Sequence, residues 1–293
     1  MSTEPGTLYV VATPLGNLGD MTVRAREVLS EVSLIAAEDT RVTQRLMNHL
    51  GLKASYLSLH EHNEDKRIPA IKKLLAEGQS VALVSDAGTP LISDPGYSLI
   101  RALHASGFRV SPIPGPSAVI AALSVSGLPT NRFIFEGFLP AKSLKRQSYL
   151  EGLRQEFATL VFYESSHRIV ASLTDMSRVL GATRRAVIAR ELTKRFEQVV
   201  SASLEELASW VREDENHQKG EFVIMVEGAC FVDKPDEVTL SEQHVIQVLA
   251  AELPTRQAAD LAARITGGPR QRLYRAIQHE KQKNHAHVES DRR

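Results

Sequence analysis

Residues 80–90 read SVALVSDAGTP and join a short apolar run to a turn that contains Asp86, Gly88 and Pro90. The run 80–84 is short, rich in valine and stopped by turn residues, which is typical of a buried strand. An aspartate at a strand end can accept hydrogen bonds from amino, ammonium or ribose groups, and a glycine lets the backbone approach a ligand closely. A tight strand-to-helix connection, with Asp86 as a turn acceptor, explains the same residues equally well.

Short apolar strands alternate with amphipathic helices on both sides of this stretch, over the first two-fifths of the chain. Continuous apolar strands separated by helices indicate a parallel sheet with both faces covered. Such a sheet binds ligands beyond the carboxyl ends of its strands. The predicted strands are 7–12, 34–37, 55–59, 80–84 and 109–113, and the predicted helices are 23–32, 43–50, 68–76 and 97–105.

A second α/β unit with more strands per residue begins near Arg132, which predicts a mixed or antiparallel sheet. Its predicted strands are 133–135, 159–163, 186–190, 197–200 and 222–226, and its predicted helices are 143–157, 166–180 and 204–212. Residues 230–238 have a linker composition, and short helices are predicted at 240–249, 255–265 and 269–283. The predicted organisation is therefore an N-terminal α/β domain 1–128, a second α/β domain 129–232, a helical module 238–283 and a disordered tail 284–293.

The composition is that of an ordinary globular protein, with 43% apolar and 24% charged residues. Lys+Arg and Asp+Glu are equal at 35 each, which argues against nonspecific coating of nucleic acid but allows a local basic surface. No signal-peptide pattern and no apolar run of roughly 20 residues is present, so we expect a cytoplasmic protein without a membrane span. The absence of G-x-x-x-x-G-K-[ST], and of G-x-G-x-x-G after the first strand, argues against a nucleotide triphosphatase or a dinucleotide dehydrogenase.

Two further loops follow predicted strands of the first sheet. Residues 114–118, PGPSA, form a rigid loop before an alanine-rich helix, whose first turn has free amides. Residues 13–17, TPLGN, end the first strand with a weaker Pro-x-Gly turn. Ordinary strand–helix connections explain each loop alone, but all three are expected at one edge of the sheet, which favours a ligand site there.

Polar residues at other strand ends are candidates for chemistry, although ion pairs, helix caps and core packing also explain them. Lys219 and Gly220 before a central strand favour the entry of a hairpin, and a backbone contact with a ligand is the alternative. His60 and His62 share a face only in an extended segment and have no third partner, so no metal site is predicted. The candidates for a catalytic base are Glu38, Asp39, Glu164, Glu191 and Lys194.

The motifs together resemble the ribosomal RNA small-subunit methyltransferase I family, within the tetrapyrrole methylase superfamily. They are LYVVATPLGNLGDMTVRA, AEDTR, SDAGTPLISDPGY, PGPSA, FIFEGFLP, FYESSHR, ARELTK and KGEFVIMVEG. Each motif is weak alone, but their joint pattern is specific and runs in order over residues 7–230, extending into the helical tail.

This resemblance implies a two-domain methylase that binds S-adenosylmethionine in the cleft between its domains, with ARELTK and KGE closing the adenosine side. It also implies transfer of the methyl group to the 2′-oxygen of a decoding-centre cytidine in 16S rRNA of the small ribosomal subunit, usually by a homodimer. The cofactor-binding positions carried over are Pro14, Asp86, Gly88, Thr89, Pro90, Ser117, Ala118, Tyr163 and Glu164.

Several clusters of basic side chains favour an RNA partner, although clusters of charged residues usually form solvated surfaces. The RNA-binding candidates are Arg41, Lys142, Lys145, Arg146, Arg270, Arg272 and Arg275. Two alternatives stay open, since a fold does not fix a substrate. One is a corrin or porphyrin precursor C-methyltransferase, and the other is a non-catalytic RNA-binding protein on the same fold.

Overall fold

A computed structural model describes residues 4–229 and 242–290, with side chains described as far as Lys281. The chain forms two compact units, Met1–Cys230 and Phe231–Arg293, and the first unit contains both sheets. The linker predicted at 230–238 lies outside the described residues. No described helix is long and apolar enough to cross a membrane.

The first sheet has five parallel strands in the order β3-β2-β4-β1-β5, as the alternation of strands and helices predicts. Successive residues of β4 belong to opposite faces: Leu83 packs with Leu99 and Leu103, while Ala82 and Val84 pack with the other helical layer. Both faces are therefore covered. The strands are β1 (Thr7–Val11), β2 (Leu34–Ala37), β3 (Tyr56–Ser58), β4 (Val81–Val84) and β5 (Arg109–Ile113), and the helices are α1 (Val23–Glu31), α2 (Thr40–Leu50), α3 (Glu64–Ala76) and α4 (Tyr97–Ala105).

Helix α5 (Ala118–Ser126) connects the two sheets of the first unit. It follows β5, and its buried residues Val119, Ala122 and Leu123 pack on one face of the second sheet, against Val161 and Met225 among others. Its N-terminus therefore stands at the edge of the first sheet while its body covers the second.

The second sheet is mixed, as predicted, with the strand order β6-β7-β10-β8-β9. Strands β6 and β7 are parallel, and the other neighbours are antiparallel. The central strand β10 pairs with β7 and β8, so the hairpin predicted at Lys219 and Gly220 is wrong: helix α8 separates β9 from β10. The strands are β6 (Phe133–Phe138), β7 (Thr159–Ser165), β8 (Arg185–Arg190), β9 (Gln198–Ser203) and β10 (Glu221–Val226), and the helices are α6 (Ser143–Leu153), α7 (Ile169–Leu180) and α8 (Leu204–Glu213).

The C-terminal unit contains three helices, α9 (Glu242–Glu252), α10 (Thr255–Thr266) and α11 (Arg270–Ser290). Their small apolar core includes Val245, Ala258, Leu273 and Ile277. Helix α11 continues through residues 284–290, where the sequence predicted a disordered tail.

Arg146 is part of the core of the second sheet's helical layer and not of a basic surface. Its side chain is 3% exposed, and its guanidinium forms an ion pair with Asp175 at 2.6 Å. The same guanidinium donates to the backbone carbonyls of Pro140 and Ala141. The expectation that Arg146 contacts RNA is therefore wrong, because its donors are buried and occupied.

We predict that Arg146→Ala lowers the free energy of unfolding by about 3–5 kcal/mol, since it leaves the Asp175 carboxylate buried without its cation. The exposed neighbour Lys145 provides a matched control, and Lys145→Ala should change stability by about 0.5 kcal/mol or less. Urea unfolding followed by circular dichroism measures both variants. Equal stabilities of the two variants would contradict the assigned role of the pair.

Candidate functional site

The loops after β1, β4 and β5 are joined by hydrogen bonds at the carboxyl edge of the first sheet. The Thr13 amide donates to the Gly88 carbonyl at 2.8 Å, and the Gly88 amide donates to the Thr13 carbonyl at 3.0 Å. The Thr89 hydroxyl donates to the Pro116 carbonyl at 2.9 Å. These contacts bring TPLGN, SDAGTP and PGPSA together, as the strand-end positions predicted.

Gly88 is required for this arrangement. Its φ of +81° lies in the left-handed region, where side chains with a Cβ are disfavoured. A Cβ at this position would lie 3.1 Å from Leu15 Cδ2, so the Leu15 side chain would also have to shift by a few tenths of an ångström.

A cavity of about 420 Å³ lies between these loops and the second sheet. This volume is within the range of roughly 300–1,000 Å³ typical of small-molecule sites. The first sheet and its loops contribute Leu15, Glu38, Asp86, Ala87, Gly88, Thr89, Ile92, Ser93, Asp94, Ser117 and Ala118. The second contributes Phe138, Tyr163, Glu164, Ser165, Ser166, Ala189, Leu192, Gly220, Glu221, Phe222 and Val223.

The lining of the cavity is acidic. It includes the carboxyl groups of Glu38, Asp86, Asp94, Glu164 and Glu221, and none of the described lining residues is Lys, Arg or His. The described residues also contain no group of three or more His, Cys, Asp or Glu side chains that could hold a metal ion. The arrangement favours an organic ligand that carries positive charge.

Three of these carboxyl groups have pKa values above their ordinary range, and burial is the largest cause for each. Burial, followed by the charge of Asp86, raises the pKa of Glu38. Burial also raises the pKa of Asp86, although the Asp39 amide donates to its Oδ1 at 3.0 Å. Burial raises the pKa of Asp94 to about 6. The nearby Ser85 hydroxyl acts to lower this pKa, and the charges of Glu38 and Asp86 add to the rise.

Tyr163 and Glu164 are neighbours on β7 with different environments. The Tyr163 ring lies edge-to-face with Phe135 and Phe138, at centroid distances of 4.9 and 5.6 Å. Burial and then the charge of Asp94 raise the pKa of Tyr163 to about 12. Its hydroxyl is therefore neutral at ordinary pH.

The Glu164 carboxylate is fully buried and already has partners. It accepts hydrogen bonds from the Ser165 amide at 2.9 Å and from the Ser172 hydroxyl, and it lies 3.3 Å from the Arg168 guanidinium. These contacts anchor β7 to the start of α7.

Glu191 and Lys194 form an ionic cluster with Glu221 at the rim. Lys194 Nζ lies 2.9 Å from Glu191 Oε1 and 3.0 Å from Glu221 Oε2. Burial acts to lower the pKa of Lys194, but the hydrogen bonds to the two carboxylates outweigh it and the pKa is raised. Burial acts to raise the pKa of Glu191, but hydrogen bonds from Lys194 and the Glu221 amide outweigh it and the pKa is lowered.

The structure brings most of the proposed cofactor positions to the cavity, together with some residues that sequence reasoning missed. Asp94 is the main omission, because Asp-Pro-Gly directly before a predicted helix is itself typical of a helix start. A second aspartate a few residues after SDAGTP was the available signal. Among the proposed positions, Asp86, Gly88, Thr89, Ser117, Ala118, Tyr163, Glu164 and Glu38 line the cavity, whereas Pro14, Pro90, Asp39, Glu191 and Lys194 do not.

The basic candidates outside the cavity are mostly exposed. The Arg41 side chain is 80% exposed and pairs with Asp39 at 2.6 Å. In the helical unit, Arg270 pairs with Asp260 and Arg272 with Glu242 at 2.8 Å. The remaining exposed candidates are Lys142, Lys145 and Arg275.

Comparison with known proteins identifies the family. Residues 7–208 match the family model of tetrapyrrole (corrin/porphyrin) methylases, and residues 236–281 match that of the RsmI C-terminal HTH domain. A Xylella fastidiosa (strain Temecula1 / ATCC 700964) protein named ribosomal RNA small subunit methyltransferase I is 56% identical over 275 residues, 94% of this chain and 99% of the relative. The chain belongs to the ribosomal RNA small subunit methyltransferase I family.

Another relative supports this family assignment, and two more distant solved structures share the fold. An Escherichia coli O157:H7 member of the ribosomal RNA small subunit methyltransferase I family is 51% identical over 270 residues, 92% of this chain and 94% of the relative. Solved structures of diphthine synthase (TM-score 0.58, 17% identity, 76% of this chain and 89% of that one) and of the methyltransferase CobJ (TM-score 0.55, 20% identity, 76% and 95%) are similar. These last two show the fold alone.

We predict that Gly88→Ala destabilises the protein more than Gly107→Ala does. Both glycines have positive φ, at +81° and +74°, so each alanine should cost about 1–2 kcal/mol in backbone strain. A Cβ at Gly107 meets no atom within 4 Å, whereas at Gly88 it meets Leu15. Thermal and urea unfolding compare the two variants, and equal losses would argue against the Gly88 contact as a constraint on the loops.

Proposed function

We propose that this chain transfers the methyl group of S-adenosylmethionine to the 2′-oxygen of a decoding-centre cytidine in 16S rRNA, in the cytoplasm. The observation that carries the proposal is the cavity at the edge of a parallel sheet, whose described lining has five acidic and no basic residues. S-adenosylmethionine has a flat adenine ring and a positive sulfonium, and because the ammonium and carboxylate of its amino-acid end cancel, it carries one net positive charge. The rRNA target rests on family membership and on the names of the relatives.

The residues of the cavity fit this methyl donor. Asp86 supplies a carboxylate for its amino or ribose groups, and the open backbone at Gly88 allows close approach. Apolar side chains that line the cavity, such as Ala189 and Val223, provide a surface for the apolar part of this ligand. When bound, S-adenosylmethionine supplies a methyl group on a sulfonium, whose thioether is a good leaving group.

The contacts of the five candidate bases favour Glu38 as the residue that takes the proton of the ribose hydroxyl. Hydrogen bonds from Arg41 lower the pKa of Asp39 to about 2, which makes it a weak base. The oxygens of Glu164 are occupied, Glu191 is held by Lys194, and Lys194 is a cation. Glu38 lines the cavity, and its raised pKa makes it a stronger base than an ordinary glutamate.

We predict that Asp86→Ala and Gly88→Val bind S-adenosylmethionine at least tenfold more weakly than the parent, as measured by calorimetry on folded protein. Glu38→Gln should lower kcat for methylation of purified small subunits by about 10²–10⁴-fold. Mass spectrometry of the rRNA should map the product to a 2′-O-methylcytidine. The exposed change Asp65→Asn is the control and should alter neither quantity. Unchanged binding in both cavity variants would remove the site assignment, and methylation of a corrin or porphyrin precursor instead would overturn the substrate.

We also propose a homodimer, as the family resemblance implies. Apolar side chains of α5, Ile120 at 57% and Val125 at 53% exposure, offer surface for such an interface.

The helical unit is the proposed RNA-binding element, which agrees with the HTH name of the matching family model. Arg270, Arg272 and Arg275 project from α11, and Tyr274 is 37% exposed beside them. The ion pairs of Arg270 and Arg272 are exposed, so exchange of their carboxylates for phosphates costs little. Arginine suits phosphate recognition because its planar fork donates two hydrogen bonds at once.

We predict that the triple change Arg270→Ala, Arg272→Ala and Arg275→Ala weakens binding to small subunits and makes it less dependent on salt. Affinity for S-adenosylmethionine should stay unchanged. The matched control replaces three exposed lysines, Lys53, Lys66 and Lys73, and removes the same charge elsewhere. Equal methylation by both triple variants across salt concentrations would refute an RNA-binding role for α11.

A further inference from the structure

Three of the five carboxyl groups of the cavity form no ion pair with a described basic residue. Glu221 forms an ion pair with Lys194, and Glu164 forms one with Arg168. Glu38, Asp86 and Asp94 remain, and the nearby Arg41 is bound to Asp39 outside the lining. Negative charge is therefore concentrated on the side of the cavity that the first sheet contributes.

Asp94 lies on a loop that packs close to the second sheet. It follows Leu91 and Ser93, whose φ values of +74° and +70° are strained for residues with side chains. A Cβ at Gly137, on the bulge of β6, would lie only 3.2 Å from Ser93 Oγ, so the second sheet limits the movement of this loop.

The charged and titratable groups facing Asp94 come from three elements. Glu38 follows β2 and Asp86 follows β4, and both are acidic. Tyr163 of β7 is held neutral by its raised pKa, and the nearby Ser85 hydroxyl acts to lower the pKa of Asp94. A positive ligand would relieve the repulsion among the three carboxylates, whereas a neutral ligand would not.

We propose that Asp94, together with Asp86 and Glu38, makes the cavity prefer the positively charged methyl donor over its neutral thioether product. This inference rests on the proposed function. S-adenosylmethionine and S-adenosylhomocysteine share their nucleoside and amino-acid parts and differ at sulfur by one methyl group and one positive charge. The loss of that charge on transfer then weakens attraction to the acidic wall, which favours release of the product and its replacement by a new donor.

Calorimetry with three ligands tests the proposal at pH 7. S-adenosylhomocysteine is the neutral ligand, and sinefungin, which carries an ammonium-bearing carbon in place of the sulfonium, is a second positive one. For Asp94→Asn, the preference for each positive ligand over S-adenosylhomocysteine should fall about tenfold, while the exposed control Asp65→Asn keeps the parent's preference. A fall in affinity by the same factor for all three ligands would overturn the proposal, since it would indicate loss of shape and not of charge selection.

The parent protein provides a second test that does not depend on folding of the variant. The raised pKa of Asp94, about 6, means that the carboxyl is mostly protonated at pH 5 and mostly ionised at pH 7. The preference for S-adenosylmethionine over S-adenosylhomocysteine should therefore rise severalfold between pH 5 and pH 7, and a constant preference would refute the inference. If the parent binds neither ligand, the proposed function fails and this inference with it. If it binds both with a preference that neither pH nor Asp94→Asn alters, only the inference fails.

Discussion

The paired backbone hydrogen bonds between Thr13 and Gly88 hold together the part of the molecule on which the cavity depends. Strands β4, β1 and β5 are neighbours in one parallel sheet, so their following loops leave the same edge side by side. Parallel strands alone do not fix the conformation of those loops. The Thr13–Gly88 pair and the Thr89–Pro116 bond do so, and they require a residue without a Cβ at position 88.

Helix α5 extends this constraint to the second sheet. Its first residues belong to the fixed edge, while Val119 and Leu123 are buried against strands of the other sheet. The position of Tyr163 and Val223 opposite the loops therefore follows from ordinary apolar packing along one helix. The three unpaired carboxyl groups come from the first sheet and its loops, and most of the apolar lining comes from the second, so a charged ligand with a flat apolar part can contact both.

Much of the first sheet could be predicted from sequence because its strands are short apolar runs bounded by Gly and Pro. Helix α4 and strands β2 and β5 have the predicted bounds. The edge of the sheet that carries the site could also be predicted, because the loops after parallel strands leave the same edge whichever strands are neighbours.

Other features depend on contacts between residues distant in sequence, and local patterns gave the wrong answer. Arg146 looks like a surface charge beside Lys145, but its partner Asp175 is on the next helix. The hairpin predicted before β10 failed because the partners of that strand are β7 and β8. Asp94 was missed because Asp-Pro-Gly is common at helix starts. The left-handed backbone at Leu91 and Ser93 could not be predicted either, because leucine and serine do not favour that conformation.

The division of the cavity wall between two sheets also affects how the protein unfolds. A ligand that contacts both sheets binds only when both are folded, so its binding free energy is added to the stability of the pair and not to either sheet alone. Partial opening of one sheet must first release the ligand. The occupied protein should therefore unfold more cooperatively over residues 4–229 than the empty protein, in which the two sheets have separate hydrophobic clusters.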